Sequence, residues 1–365
     1  MRALFYIIAL TVSFALAYLL LWPIGIKPLA WDAPVNKGYT GEFSVNQKLK
    51  SFTKLTMGGM SGPEAAVQSP DGSLISATHE GWLMRWDHGE TEGKPLLDVG
   101  GRPLGVDFDP SGNLWIANAY KGLMKLSATG DLSTVVTEVD GSAVGFADDV
   151  SVAPNGKVYF TDASTRFAAA DFDSTMTASV YDLMEHSDNG RVIEYDPISQ
   201  SSKVVLSGIT FANGIAVAPD GQFFLVIETG EYRVWKHWLS GAKAGESEVI
   251  IDNLPGFPDN IHLGQNGRFW FGLVSPRSEA VDDLSSKPFW RSAILRLPQA
   301  LQPAAKNYGM VIAINAEGDV LHNLQAPSAE VFTTTGVAET DDYIYVTSLT
   351  STFLARYSKQ SLGID

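Results

Sequence analysis

Five tight turns punctuate this chain: Pro70-Asp71-Gly72, Pro110-Ser111-Gly112, Pro154-Asn155-Gly156, Pro219-Asp220-Gly221 and Gln265-Asn266-Gly267. Each follows an apolar, alternating run and precedes another, which is the pattern of a β-hairpin. The strand-like runs include Leu114–Ala117, Lys157–Phe160, Phe223–Ile227 and Phe269–Phe271. Successive turn glycines lie 40, 44, 65 and 46 residues apart, and Asp342, 75 residues further on, leads a sixth run, Tyr343-Ile344-Tyr345-Val346. A period of about 40–50 residues is that of a four-stranded propeller blade. The spacing therefore predicts an all-β fold, a six-bladed β-propeller. The two long intervals hold insertions near Ala163–Asn189 and Ser275–Lys306. Both follow a strand, which places them over one face as a lid. A parallel α/β fold needs amphipathic helices between its strands, whereas the helical patterns here, Met176–Glu185 and Glu279–Leu284, sit inside the insertions.

Eight residues before the five glycines stand Glu64, Leu104, Asp148, Asn213 and Asp259. If the hairpins are equivalent blades, four side-chain oxygens converge on one axis, the donor set that a hard cation such as calcium requires. A single Asp or Asn before a strand is explained equally well by a local turn hydrogen bond. Four at one offset point to a shared site. Carboxylates gathered around an axis repel and are costly to bury unless paired or metal-bound. No Lys or Arg lies within three residues of the four, so a divalent cation is the simplest compensation.

Composition removes several alternatives. The formal net charge is −15, which leaves no electrostatic footprint for nucleic acid. There is no cysteine, hence no thiolate nucleophile, disulfide or zinc-thiolate site. Neither Gly-x-Ser-x-Gly nor Gly-x-Gly-x-x-Gly occurs, so no nucleophile elbow or dinucleotide site is indicated. His79, His186 and His262 are further polar candidates; His262, three residues past Asp259, points the other way on a regular strand and reads as packed.

Ala3 to Trp22 is an uncharged, nearly all-apolar run closed by Pro23. As a helix its 20 residues span about 30 Å, the thickness of a bilayer core. Cleavage after Ala15-Leu16-Ala17 is the competing signal-peptide reading, but it would expose Tyr18 to Trp22 at a new terminus. The expectation is an uncleaved anchor over 3–22, a stalk over 23–57 and a propeller over 58–358. The Arg2 charge places the propeller on the non-cytoplasmic side.

Gly62-Pro63-Glu64, Phe211-Ala212-Asn213-Gly214 and Pro255-Gly256-Phe257-Pro258-Asp259-Asn260 resemble the strictosidine-synthase-like branch of the calcium-dependent phosphotriesterase superfamily, which includes gluconolactonase and paraoxonase. Gly101-Arg102-Pro103-Leu104-Gly105, Ala119-Tyr120-Lys121-Gly122-Leu123, Tyr159-Phe160-Thr161-Asp162 and Ser351-Thr352-Phe353-Leu354 extend the likeness in the same order. The resemblance implies a six-bladed propeller, an N-terminal membrane anchor and a calcium-dependent esterase or lactonase acting on a small molecule. It implies metal ligands at Glu64, Asp148, Asn213 and Asp259, with Asn260 near by. Asp148-Asp149 stands where the family carries an Asn-Asp pair. Asp259 or Asp149 would then activate water. Glu339 matches the catalytic glutamate of strictosidine synthase; counting by twos along a regular strand turns it toward the channel, and a surface turn glutamate is the alternative. Two other functions remain open at this stage, a non-catalytic binding propeller with a structural calcium and a strictosidine-synthase-type condensation.

Overall fold

The computed structural model describes residues 1–298, 301–302, 305–327 and 330–365. Six four-stranded antiparallel sheets follow one another along the chain. Their innermost strands are Ala66–Gln68, Pro103–Phe108, Ala147–Val152, Ala212–Val217, Gly256–Leu263 and Thr334–Glu339, opening blades I to VI. Each innermost strand packs beside the next, and that of blade VI beside that of blade I, so the sheets close into a ring. Each predicted hairpin joins the innermost strand to the second strand of its blade. The turn glycines Gly72, Gly112, Gly156, Gly221 and Gly267 have φ between 68° and 84°, a conformation that side chains resist and glycine accepts.

The core lies between blades. Leu225, Ile227, Phe269, Phe271 and Ile312 join blade IV to blade V, and Trp115, Val150, Phe160 and Ile193 join II to III. Each large side chain buried this way contributes about 1.5–3 kcal/mol.

The ring is completed by a strand upstream of the expected start at 58. Thr53–Thr56 pairs antiparallel with Phe353–Ser358 as the outer strand of blade VI. The segment expected as a stalk over 23–57 is instead a strap along the propeller. Trp31 stacks on His186 at 3.9 Å between ring centres, Arg277 Nη2 donates to Pro34 O at 2.6 Å, and Tyr39 stacks on Tyr308 at 4.6 Å. Further along, Gln325 Nε2 donates to Phe43 O and Leu49 is buried. Isolated aromatic contacts and backbone hydrogen bonds pin this segment, so no periodic pattern announces it.

Helix α1 (Arg2–Leu21) is the one helix among the described residues long and apolar enough to cross a membrane, and none of it is buried against the propeller. Both insertions lie over the same end of the ring. The first contributes α2 (Thr175–Glu185), capped by Ser174. The second contributes α3 (Glu279–Asp283) and α4 (Pro288–Leu295), the last not expected from the sequence. Residues 299–300 and 303–304 of the insertion expected over Ser275–Lys306 lie outside the described residues.

Candidate active site

The innermost strands of blades II to VI each carry a break in pairing register near their first residues, between Pro103/Gly105, Ala147/Val150, Ala212/Ile215, Pro258/Ile261 and Thr334/Val337. A bulge re-aims side chains locally. Here the breaks fall at Leu104, Asp148-Asp149, Asn213-Gly214, Asp259-Asn260 and Thr335-Gly336. The strands crowd together at these points: a Cβ on Gly214 would collide with the backbone of Asn260 and Ile261.

In blades II, III and IV the approach to the bulge is tied down by the last residue of the second strand. In blade III, Asp162 Oδ1 accepts from Gly145 and Phe146 N–H while Oδ2 accepts from Arg191 Nε. In blade IV, Glu228 accepts from Thr210 N, Arg233 Nε and Trp235 Nε1. Asn118 accepts from Arg102 N in blade II. These polar anchors position Asp148, Asn213 and Leu104 respectively.

Glu64, Asp148, Asn213 and Asp259 all line one pocket of about 560 Å³ beneath the lid. All four are buried, none more than 6% exposed. Among the described residues, Asp148 Oδ1, Asn213 Oδ1 and the neighbouring Asn260 Oδ1 have no hydrogen-bond partner. Buried polar atoms are ordinarily satisfied, so three unpaired oxygens at one place need an external donor or a cation. Burial, and then the charge of Glu64, holds the Asp148 and Asp259 carboxyls well above the usual carboxylate range. Asn260 Nδ2 donates to Glu64 O at 3.0 Å, and Thr335 Oγ1 donates to the same carbonyl at 2.6 Å.

Arg102 brings to the ring a basic group that does not lie within three residues of any of the four in sequence. Its Nη2 lies 2.5 Å from Glu64 Oε2, with both side chains buried, and it comes from blade II rather than from the neighbouring sequence. Burial raises the Glu64 carboxyl against the pull of this guanidinium. Arg102 precedes the strand Pro103–Phe108 and its register break, so no strand period points to it. His79 also lines the pocket; burial, then Arg102, lowers its pKa.

The fit to a metal is therefore one of oxygen chemistry. Among the described residues no three His, Cys, Asp or Glu side chains are set to hold a metal by themselves, and Glu64 is turned onto Arg102. The unpaired oxygens of Asp148, Asn213 and Asn260, beside Asp259, are the hard donors that calcium takes in sets of 6–8.

Two of the three acidic candidates for catalysis lie elsewhere. Asp149 is buried below the pocket, its Oδ1 accepting from Val150 N–H and its Oδ2 from Ile215 N–H. His262 Nε2 lies 3.9 Å from Asp149 Oδ1, and burial lowers the His262 pKa to about 4, so this histidine is packed and neutral. Glu339 is at the far end of its strand, where it accepts from Arg268 Nη2, Trp270 Nε1 and Gln265 N and pairs with Lys359. The bulge in blade VI breaks the count by twos that had turned Glu339 toward the channel; it faces blade V.

A closed six-bladed ring with an oxygen-lined pocket at one mouth defines a class of propeller, and within it this chain belongs to the strictosidine synthase-like family. Residues 148–242 match the family model of strictosidine synthase, and residues 41–86 that of the strictosidine synthase-like N-terminal region. Adipocyte plasma membrane-associated protein of Mus musculus is 31% identical over 345 residues, 88% of this chain and 81% of that one. The Homo sapiens protein of the same name is 30% identical over 379 residues, covering 97% and 89%. Strictosidine synthase-like 13 of Arabidopsis thaliana is 38% identical over 238 residues, covering 63% and 57%. Among solved structures, a Xanthomonas campestris gluconolactonase superposes with a TM-score of 0.58 at 15% identity, covering 84% of this chain and 87% of that one. A calcium-binding protein, regucalcin, of Agrobacterium tumefaciens gives 0.56 at 14%, covering 84% and 93%. These two likenesses are of fold. Helix α1 and the name of the animal relatives both fit membrane association.

Proposed function

We propose that the chain is a calcium-dependent hydrolase of an ester or lactone, with the pocket beneath the lid as its active site and the propeller on the non-cytoplasmic side of a membrane. The observation that carries this reading is the pair of buried oxygens, Asp148 Oδ1 and Asn213 Oδ1, that have no partner among the described residues and line the pocket, with the unpaired Asn260 Oδ1 next to the lining residue Asp259. Glu64, Asp148, Asn213 and Asp259, with Asn260 beside them, would hold the ion. When bound there, calcium supplies Lewis-acid polarisation of a substrate carbonyl. Asp259 is the acidic candidate that both lines the pocket and is free of an ion pair, so its carboxylate takes the proton from the attacking water. Phe146, Phe211 and Leu104 line the pocket from the propeller side, and Val180, Leu183 and Val281 line it from the lid. A gluconolactonase and a luciferin-regenerating enzyme among the structural neighbours support a catalytic use of this fold.

A non-catalytic binding propeller is the second reading. The Arg102–Glu64 pair favours it, since a guanidinium already supplies part of the positive charge that the ring needs. Both readings include calcium. An ion that binds only the folded chain stabilises it by about 2.7 kcal/mol at a hundredfold excess over Kd. The melting temperature is expected to fall on chelation and recover with calcium. An unchanged melting temperature, with no calcium found by elemental analysis, would remove the metal from both readings.

A further inference from the structure

The roof of the pocket is built against the segment that leaves the membrane helix. Ile24 and Ile26 pack with Met184, Leu295, Val180 and Ile294, and those last four also line the pocket. Ile24 stands three residues past the end of α1, so extended chain reaches it within about 10 Å. Helix α4 is tied to α1 directly: Arg296, just after it, donates from Nε to Trp22 O at 2.6 Å and from Nη1 to Leu19 O at 3.2 Å. The lid is thus held at the point where α1 leaves a bilayer.

The lid also carries the side chains that such a place favours. Phe289 and Trp290 at the start of α4 are 51% and 53% exposed, and Met176 at the start of α2 is 43% exposed. Trp22 and Leu29 on the adjoining segment are exposed as well. Aromatic side chains of this kind are stable in the interfacial layer, where one side is apolar and the other wet. Lys27 and Lys287 lie exposed near these residues in sequence, in a chain whose net charge is −15, and suit the phosphates of lipid headgroups. Met176 is exposed on the lid and lines the pocket, so the pocket opens to the outside at the lid.

We propose that the lid rests on the phospholipid surface, with Phe289 and Trp290 in the interfacial layer, and that the pocket draws its substrate from the bilayer: a long-chain acyl ester or lactone whose chain lies along the apolar lid and whose carbonyl reaches Asp259. The substrate class rests on the hydrolase reading; the placement of the lid does not. Hydrolysis of such an ester breaks the acyl C–O bond, adds water across it, and leaves a carboxylic acid and an alcohol.

The test uses the full chain in phosphatidylcholine vesicles. With acyl chains brominated, tryptophan fluorescence is expected to be quenched, and part of the quenching is expected to disappear in Trp290→Phe. Equal quenching of wild type and Trp290→Phe overturns the placement of the lid. Turnover is then compared for a long-chain aryl ester partitioned into the vesicles and for a water-soluble acetyl ester. In the double variant Phe289→Ser, Trp290→Ser the rate on the long-chain ester is expected to fall about tenfold or more, with the acetyl ester unaffected. Rates that fall together, or do not fall, contradict uptake from the bilayer. If wild type hydrolyses neither ester, the hydrolase reading and the substrate class fail, and the quenching alone decides the placement of the lid.

Discussion

Asp259→Asn is expected to lower ester or lactone turnover by about 10²–10⁴, the usual cost of losing a general base, while the protein stays folded. The substitution retains an oxygen where the carboxylate Oδ1 accepts from Asn260 N–H at 3.0 Å, so the bulge in blade V keeps its hydrogen bond. It removes the charge that would take a proton from water. The other two acidic residues assigned to the cation are less suited to act as base: Glu64 pairs with Arg102 through Oε2, and Asp148 stands on the neighbouring blade III with its Oδ1 unpaired and turned to the ion site. Turnover and melting temperature measured on the same sample separate the two effects. Equal activity of Asp259→Asn and wild type would show that Asp259 is not the base. Asp149 would be a poor successor, because both of its oxygens already accept backbone N–H groups beneath the pocket.

Glu339→Ala is expected to do the reverse. The Glu339 side chain is buried between Arg268 and Lys359, and taking one partner from a buried ion cluster typically costs about 3–5 kcal/mol. Denaturant unfolding should show a loss of that size, with turnover per folded molecule unchanged. Burial raises the Glu339 pKa, but the hydrogen bonds from Arg268, Lys359 and Trp270 outweigh it and the net shift is downward from 4.5. A carboxyl depressed on folding contributes fully above its unfolded pKa and loses that contribution as pH falls through the folded value. Wild type should therefore lose stability on acidification below about pH 4.5 more steeply than Glu339→Ala, this group's unfolded pKa being near that value. A large loss of turnover in a Glu339→Ala protein that remains folded would return Glu339 to the list of catalytic groups.

What the sequence disclosed and what it concealed have physical causes. A turn glycine at positive φ sits at a fixed distance from the mouth of its blade, so counting back eight residues reached Glu64, Asp148, Asn213 and Asp259 without an alignment. The insertions were legible because they lengthened a regular interval. The bulges were not, since a bulge is a pairing property between two strands and leaves no mark on either alone. That omission misdirected Glu339. Arg102 was hidden because its partner lies 38 residues away, beyond any local search for compensating charge. The closing strand Thr53–Thr56 pairs with the other end of the chain, and its residues TKLT show too little alternation to separate it from the strap before it.

The most direct measurement is hydrolysis of a panel of aryl esters and lactones by the full chain, before and after stripping divalent metal, with calcium then returned at one equivalent. The account predicts turnover of at least one member, lost on stripping and restored by calcium. Turnover indifferent to stripping, or none across the panel by a calcium-loaded and folded protein, would contradict it.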